Sequence, residues 1–276
     1  MTKILSGAEL VGYIKERQAK QVRALRQAWK TFPRLVILQT PGVDQASQTY
    51  VRLKQEYGED ILIDVTVETV EQPVLAEAIE RSNSDASVHG IIVQLPLDDR
   101  SQTAEILNLI APEKDVDGLG AEAQYDSATA TAINWLLTGY GVDLANKKIA
   151  VVGRGQLVGA PLERMWQASG YDVAVLDDTS ADVVAVLKKS DIIVSATGVA
   201  RLITSSMVPA GAVVVDAGTA SENGVLVGDV DESVRERHDV TITPVRGGVG
   251  PLTIASLFDH VITAAQRTTS SAQERL

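Results

Sequence analysis

Apolar positions along this chain follow two rhythms. Short unbroken runs of aliphatic and β-branched residues recur: RLVILQT (34–40), ILIDVTV (61–67), HGIIVQL (89–95), NKKIAVVG (146–153), YDVAVLDD (171–178), DIIVSAT (191–197), GAVVVDAG (211–218) and TITPV (241–245). Runs of this length, bounded by turn residues, predict buried strands. Longer stretches between them carry helical spacing, over 5–30, 45–57, 72–83, 101–110, 129–140, 158–169, 180–190 and 252–268. Asp44 is placed to cap the helix over 45–57, and Gly58 to end it. Strands and helices alternate over 34–110 and again from 146, which predicts two successive α/β layers with parallel sheets. The helix over 129–140 connects them, and the polar tail SSAQERL reads as frayed.

Chemistry-bearing residues gather at the ends of these elements. Tyr50 and Lys54 are four apart on a predicted helix and share a face. Gln94 stands at the carboxyl end of a predicted parallel strand, where ligands bind in this fold class. KDVDG (114–118) sets two carboxylates beside a lysine before a glycine turn, which a solvated Asx-type turn would also explain. VVGRGQLVGAP (151–161) puts Gly153, Gly155 and Gly159 between a strand and a helix, one residue longer than the usual dinucleotide fingerprint. Glycines there let the backbone approach a pyrophosphate at a helix N-terminus, although a purely structural turn has the same composition. The next strand ends in Asp177 and Asp178; an acid there bonds the adenosine ribose and favours NAD, while Arg154 inside the loop can pair with the 2′-phosphate of NADP. A solvated strand end and a surface cation are the plainer readings of those three residues. DAGT (216–219) ends another strand, and PVRGGVGPLT (244–253) is a rigid lead into the last helix.

Composition narrows the classes. At 276 residues, 45% hydrophobic and 22% charged, the chain suits a two-domain globular protein. It has no cysteine, and its three histidines (His89, His238, His260) are scattered, so neither a disulfide framework nor a metal site is expected. A net charge of −11 argues against nucleic acid and anionic membrane surfaces, but not against a small anionic ligand in a local basic pocket. The N-terminal stretch lacks the apolar run of a signal peptide, and no window reaches the length of a membrane span, so a cytoplasmic protein is expected.

Taken together, ASQTYVRLK, GIIVQLPL, PEKDVDG, VVGRGQLVGAP, GDVD and TPVRGGVGPLT resemble the bifunctional methylenetetrahydrofolate dehydrogenase/methenyltetrahydrofolate cyclohydrolase (FolD) family, in order and spacing from about residue 35 to residue 260. The resemblance implies an α/β catalytic domain over 1–128, rejoined by the C-terminal helix 252–276, and a connecting helix with a Rossmann-type NAD(P)-binding domain over 129–251. It implies that Lys54 is the key hydrolytic residue, Gln94 its support, Tyr50 a stacking partner of the folate and Asp117 the holder of the pterin. It adds Gly248 and Pro251 as substrate contacts and Gly153, Arg154, Gly155, Gly159 and Thr219 as cofactor contacts, beside Asp177 and Asp178, which enter from the strand-end reading above. The active site is expected in a cleft between the domains, with folate and NAD or NADP as ligands, and a homodimer paired through the cofactor domain.

The chain departs from the family's usual pattern in several places. Ser127-Ala128-Thr129-Ala130 replaces PCTP, Gly153-Arg154-Gly155 replaces GRS, Asp177-Asp178 replaces a His-Ser pair, and Arg246 replaces a proline. The changes fall mainly on the cofactor side, which shifts the expected preference toward NAD, although NADP is the family default. Two rival readings stand beside this one: a shikimate-type two-domain dehydrogenase, and a non-catalytic dinucleotide-binding paralogue.

Overall fold

A computed structural model describes residues 3–222 and 225–273. In chain order the strands are β1 (Lys3–Ile4), β2 (Arg34–Gln39), β3 (Asp64–Thr69), β4 (Gly90–Val93), β5 (Ile149–Val152), β6 (Val173–Leu176), β7 (Ile192–Ser195), β8 (Val213–Asp216), β9 (Ala220–Glu222), β10 (Val225–Val227) and β11 (Thr241–Ile242). The α-helices are α1 (Gly7–Ala28), α2 (Gln45–Ile61), α3 (Leu75–Ser84), α4 (Thr103–Leu107), α5 (Ala128–Gly139), α6 (Gly159–Ala168), α7 (Val183–Leu187), α8 (Glu232–Arg235) and α9 (Val249–Gln273). They sort into two compact units, one of the residues up to Val11 with Thr129–Thr253, the other of Gly12–Ala128 with the chain from Ile254 on.

The second of these units is built on a parallel sheet in the order β3-β2-β4. Its central strand β2 is buried on both faces, with Leu35, Val36, Ile37 and Leu38 at most 2% exposed. Alternation sends Val36 and Leu38 into a core with Leu75, Ala78 and Ile79 of α3 and Ile106 and Leu107 of α4. Each such aliphatic side chain stabilises the fold by roughly 1.5–3 kcal/mol, which is why continuous rather than alternating apolar runs mark these strands. Beyond β4 the chain turns at a cis Leu95–Pro96 bond.

Helix α2 begins as expected, with the Asp44 side chain accepting from the Ser47 backbone N–H at 2.7 Å. It does not stop at Gly58. It runs to Ile61 and closes on Leu62, whose φ of 67° is left-handed and whose N–H bonds back to the last turn. Gly58 is a glycine for packing: a Cβ there would meet Val65 Cγ2 at 2.4 Å. The expected helix over 101–110 is likewise shorter, Thr103–Leu107 after a 3₁₀ turn.

The other unit carries a parallel six-stranded sheet in the order β1-β11-β8-β7-β5-β6. From β5 the chain moves outward to β6, then crosses to β7 on the opposite side, so the switch in direction lies at the carboxyl end of β5, where the glycine-rich turn stands. Strand β1, read from sequence as part of the first domain, pairs Lys3 with Thr241 and Ile4 with Ile242 in this sheet. The hairpin of β9 and β10 also has no counterpart in the apolar runs. Of the tail expected to fray, α9 reaches Gln273 and residues 274–276 lie outside the described residues.

Candidate active site

In the three-stranded unit, α2 presents Tyr50 and Lys54 one turn apart. Lys54 is only 7% exposed, and its Nζ donates to Gln94 Oε1 at 3.0 Å. Gln94 is the first residue past β4, and its backbone N–H continues the ladder to Leu38 O at 2.7 Å. Its Nε2 donates to Leu95 O at 2.9 Å, which sets the amide so that the oxygen faces the lysine. Backbone position and amide orientation are therefore both held before any ligand arrives.

Burial lowers the pKa of Lys54, and the negative charge of Asp117 opposes that shift. Burial raises the pKa of Asp117, with the charges of Lys54 and His260 pulling it down. Desolvation thus pushes base and acid alike toward their neutral forms, and their mutual attraction restrains both. The half-buried Tyr50 hydroxyl is shifted upward by burial and stays protonated. An amine with accessible neutral and charged forms can move a proton, and a carboxylate beside it can accept hydrogen bonds from a ligand.

The structure separates the members of KDVDG. Lys114 Nζ donates to the carbonyls of Ser82, Asn83 and Asp85 at 3.0, 2.7 and 2.8 Å, closing the C-terminal end of α3 where orphan carbonyls gather. Asp115, 1% exposed, accepts from the N–H groups of Gly118, Leu119 and Gly120 at 3.0, 3.1 and 2.7 Å and so builds the turn. Gly118 has a φ of 70°, and a Cβ there would meet Asp126 O at 2.4 Å. Lys114, Asp115 and Gly118 are scaffold, and the Asp117 side chain takes no part in those bonds. Sequence reading passed over one neighbour of Asp117, His260 of α9.

In the six-stranded unit the three glycines of the turn have different reasons to be glycine. Gly153 has a φ of 99° and a Cβ would meet Ala196 O at 2.5 Å; at Gly159 a Cβ would meet Gly153 O at 1.8 Å. At Gly155 a Cβ would meet nothing within 4 Å. The protein's own packing explains the first and third, but not the second. Open space over a backbone beside the first turn of α6 fits a closely approaching phosphate.

Asp177 closes the turn after β6: its Oδ1 accepts from Thr179 N–H, Thr179 Oγ1 and Ser180 Oγ at 3.0, 2.6 and 3.0 Å. The side-chain bonds from Thr179 and Ser180 come first among the causes that hold its carboxyl below the usual range, and the charge of Arg154 adds to them. Asp177 is thus ionised and fixed in place. Arg154 lies 3.4 Å from Glu163 as well, so acids flank it. Asp178 and Thr219 are exposed. The helix expected to follow the two aspartates starts later, at Val183, capped by Asp182.

A buried polar knot that the sequence did not reveal joins the carboxyl ends of β7 and β8. Asp229, fully buried, accepts on Oδ2 from Ser195 Oγ, Thr197 N–H and Thr197 Oγ1 at 2.8, 2.6 and 2.9 Å. Asp216 pairs with Arg235 at 2.6 Å and accepts from the N–H groups of Asp229 and Val230. Gly248 is buried in this same unit, its carbonyl so near Gly7 that a Cβ there would meet it at 1.9 Å, and Pro251 lies in the first turn of α9. Among the described residues no cluster of three His, Asp or Glu could hold a metal ion, and no helix is long and apolar enough to cross a membrane.

Residues 5–117 match the family model for the tetrahydrofolate dehydrogenase/cyclohydrolase catalytic domain, and residues 127–269 match that for its NAD(P)-binding domain. The chain is similar to the bifunctional protein FolD of Macrococcus caseolyticus, at 37% identity over 96% of this chain and 98% of that one. Among solved structures it resembles the FolD methylenetetrahydrofolate dehydrogenase/cyclohydrolase of Campylobacter jejuni, with a TM-score of 0.90 at 33% identity over 97% of this chain and 100% of the other. It also resembles the Trypanosoma brucei methylenetetrahydrofolate dehydrogenase-cyclohydrolase complexed with NADP and an inhibitor, with a TM-score of 0.88 at 30% identity over 97% and 98% of the two chains.

Proposed function

Since this chain belongs to the tetrahydrofolate dehydrogenase/cyclohydrolase family, we propose that Lys54, Tyr50, Gln94 and Asp117 carry its folate chemistry. The protein is a bifunctional enzyme of one-carbon metabolism. It oxidises 5,10-methylenetetrahydrofolate to 5,10-methenyltetrahydrofolate with NAD or NADP, and hydrolyses that product to 10-formyltetrahydrofolate. The observation that carries the assignment of residues is the 3.0 Å bond from buried Lys54 Nζ to Gln94 Oε1, with Asp117 as its charged neighbour.

Bound NAD or NADP supplies the hydride acceptor for the first reaction, a step that needs alignment more than proton transfer. Asp117 accepts hydrogen bonds from the pterin amino and ring N–H groups, and Tyr50 packs its ring on the folate. In the second reaction neutral Lys54 takes a proton as water adds to the methenyl carbon. The resulting ammonium returns that proton to the nitrogen leaving the bridge, and the hydroxyl proton of the adduct goes to solvent as the formyl group forms. Gln94 holds Nζ in line through both transfers. A coupled assay following reduced nicotinamide and methenyltetrahydrofolate tests the whole reading: turnover of both excludes a shikimate-type dehydrogenase and a non-catalytic paralogue, and nucleotide binding without folate turnover would overturn it.

On the cofactor side Gly153, Gly155 and Gly159 bring backbone to the pyrophosphate, Thr219 and Asp178 border the site, and Asp177 takes the adenosine ribose. Asp177 is ionised and Arg154 is flanked by Glu163, so a 2′-phosphate meets more negative than positive charge, and the proposed preference is NAD. Initial rates at saturating methylenetetrahydrofolate are expected to be higher with NAD; a strong preference for NADP sinks the Asp177 argument.

Gly155→Ala is expected to leave stability unchanged, because its Cβ enters open space, and to raise the nucleotide KM about tenfold by crowding the phosphates. A matching KM in wild type and variant would show that Gly155 is simply an exposed turn residue. The reading also includes a cytoplasmic homodimer, which light scattering of the purified protein and cell fractionation test.

A further inference from the structure

His260 plays no part in either reaction as described, yet it touches the turn that carries Asp117. Its Nδ1 lies 2.8 Å from the carbonyl oxygen of Val116, 144 residues away in sequence. A carbonyl can only accept, so Nδ1 bears the proton and donates it. Burial lowers the His260 pKa, against the raising effects of that bond and of the Asp259, Asp117 and Asp126 charges, so the ring is held toward its neutral form. The ring has little freedom: it stacks on Tyr125 with centroids 4.9 Å apart and planes 23° from parallel. Tyr125 is in turn covered by Arg267, whose guanidinium lies 5.1 Å from its ring centre. Helix α9 therefore delivers one rigid donor to one carbonyl.

That carbonyl belongs to the planar peptide joining Val116 to Asp117. Fixing its oxygen fixes the plane, and with it the direction in which Asp117 leaves the backbone. The peptide on the other side, Asp117–Gly118, is tied within the turn, by Gly118 N–H to Asp115 O at 3.2 Å and by Ala128 N–H to Asp117 O at 3.0 Å. Asp117 itself is not held by a ring of backbone donors in the way Asp115 is. With the following peptide held by those backbone bonds, its aim is set by the peptide before it as well.

We propose that His260 is a positioning residue for the folate: it clamps the Val116–Asp117 peptide so that the Asp117 carboxylate meets the pterin. The inference rests on the reading of Asp117 as the pterin holder. It predicts an effect on folate binding with no direct effect on nucleotide binding.

Steady-state kinetics of the intact enzyme with methylenetetrahydrofolate test it, using His260→Ala, His260→Phe and His260→Asn alone and His260→Ala combined with Asp117→Ala. The alanine variant is expected to raise the folate KM about tenfold, the size of one lost hydrogen bond at a binding group, with kcat and nucleotide KM little changed. His260→Phe keeps a ring against Tyr125 but has no donor, and is expected to match alanine, which separates lost positioning from lost packing. His260→Asn can donate to the same carbonyl and is expected to recover most of the wild-type KM. The double variant is expected to bind folate no worse than Asp117→Ala alone, because both changes remove one interaction. A wild-type folate KM in His260→Phe, or additive effects in the double variant, overturns the proposal while leaving Asp117 in its role. An unchanged folate KM in Asp117→Ala overturns the role of Asp117 itself and the proposal with it.

Discussion

Replacing Lys54 by glutamine is expected to abolish hydrolysis of methenyltetrahydrofolate and to spare most of the dehydrogenase rate. Glutamine nearly matches the reach of lysine and can still hydrogen-bond Gln94 Oε1, so the local packing survives. It cannot take up and return a proton, and loss of a positioned acid–base group costs about 10²–10⁴ in rate. Hydride transfer asks no proton of this residue, so the two activities separate. Lys54→Arg is expected to fail as well, since a guanidinium keeps its proton at any working pH.

The sign of the pH dependence follows from the same site. Burial places the Lys54 pKa below its ordinary value, so the neutral amine grows in as pH rises through that lowered pKa, and the hydrolytic rate at saturating folate rises with it to a plateau. The Asp117 charge raises the Lys54 pKa, so Asp117→Asn is expected to move this limb to lower pH. Equal loss of both activities in Lys54→Gln, or a limb that moves upward in Asp117→Asn, would count against the assignment of Lys54 as base.

Removing the Asp229 carboxylate is expected to give the largest loss of stability. Asp229→Ala leaves the Ser195 hydroxyl and the N–H and hydroxyl of Thr197 without their acceptor at a fully buried position. Each orphaned group costs about 1–3 kcal/mol and some relax, so a total of roughly 3–5 kcal/mol is expected. Gly218→Ala approaches the same knot from the other side. Its Cβ would fall 1.9 Å from Asp229 Oδ1, and that carboxylate is pinned by three donors and has nowhere to go. The cost there is steric, because Gly218 does not sit at a left-handed φ. Both variants are expected to lower the thermal midpoint by on the order of 10 °C and to weaken nucleotide binding. Gly155→Ala serves as the control whose midpoint does not move. A wild-type midpoint in Asp229→Ala would mean that the knot contributes no net stability.

Such contrasts trace the line between what is written locally and what is not. The α/β alternation, the Asp44 cap, the shared face of Tyr50 and Lys54 and the glycine turn after β5 are all carried by neighbours in the chain, since burial period, capping and turn geometry act over a few residues. The sequence alone therefore determined the fold class, the family resemblance and the candidate cluster. It could not say that α2 passes Gly58 and ends on Leu62, because the reason for Gly58 is Val65 on the next strand. Nor could it place β1, whose two residues find partners at Thr241 and Ile242. By residue type KDVDG offers two carboxylates, and only the family resemblance singled out Asp117; folding supplies the physical difference, giving Asp115 three backbone donors and leaving Asp117 under the charge of Lys54. His260, a lone histidine in an apolar helix, gains meaning only from Val116 and Tyr125. Hydrogen-bond partners and desolvation depend on which distant residues meet, so the tertiary structure decided which polar side chains are scaffold and which are left to act.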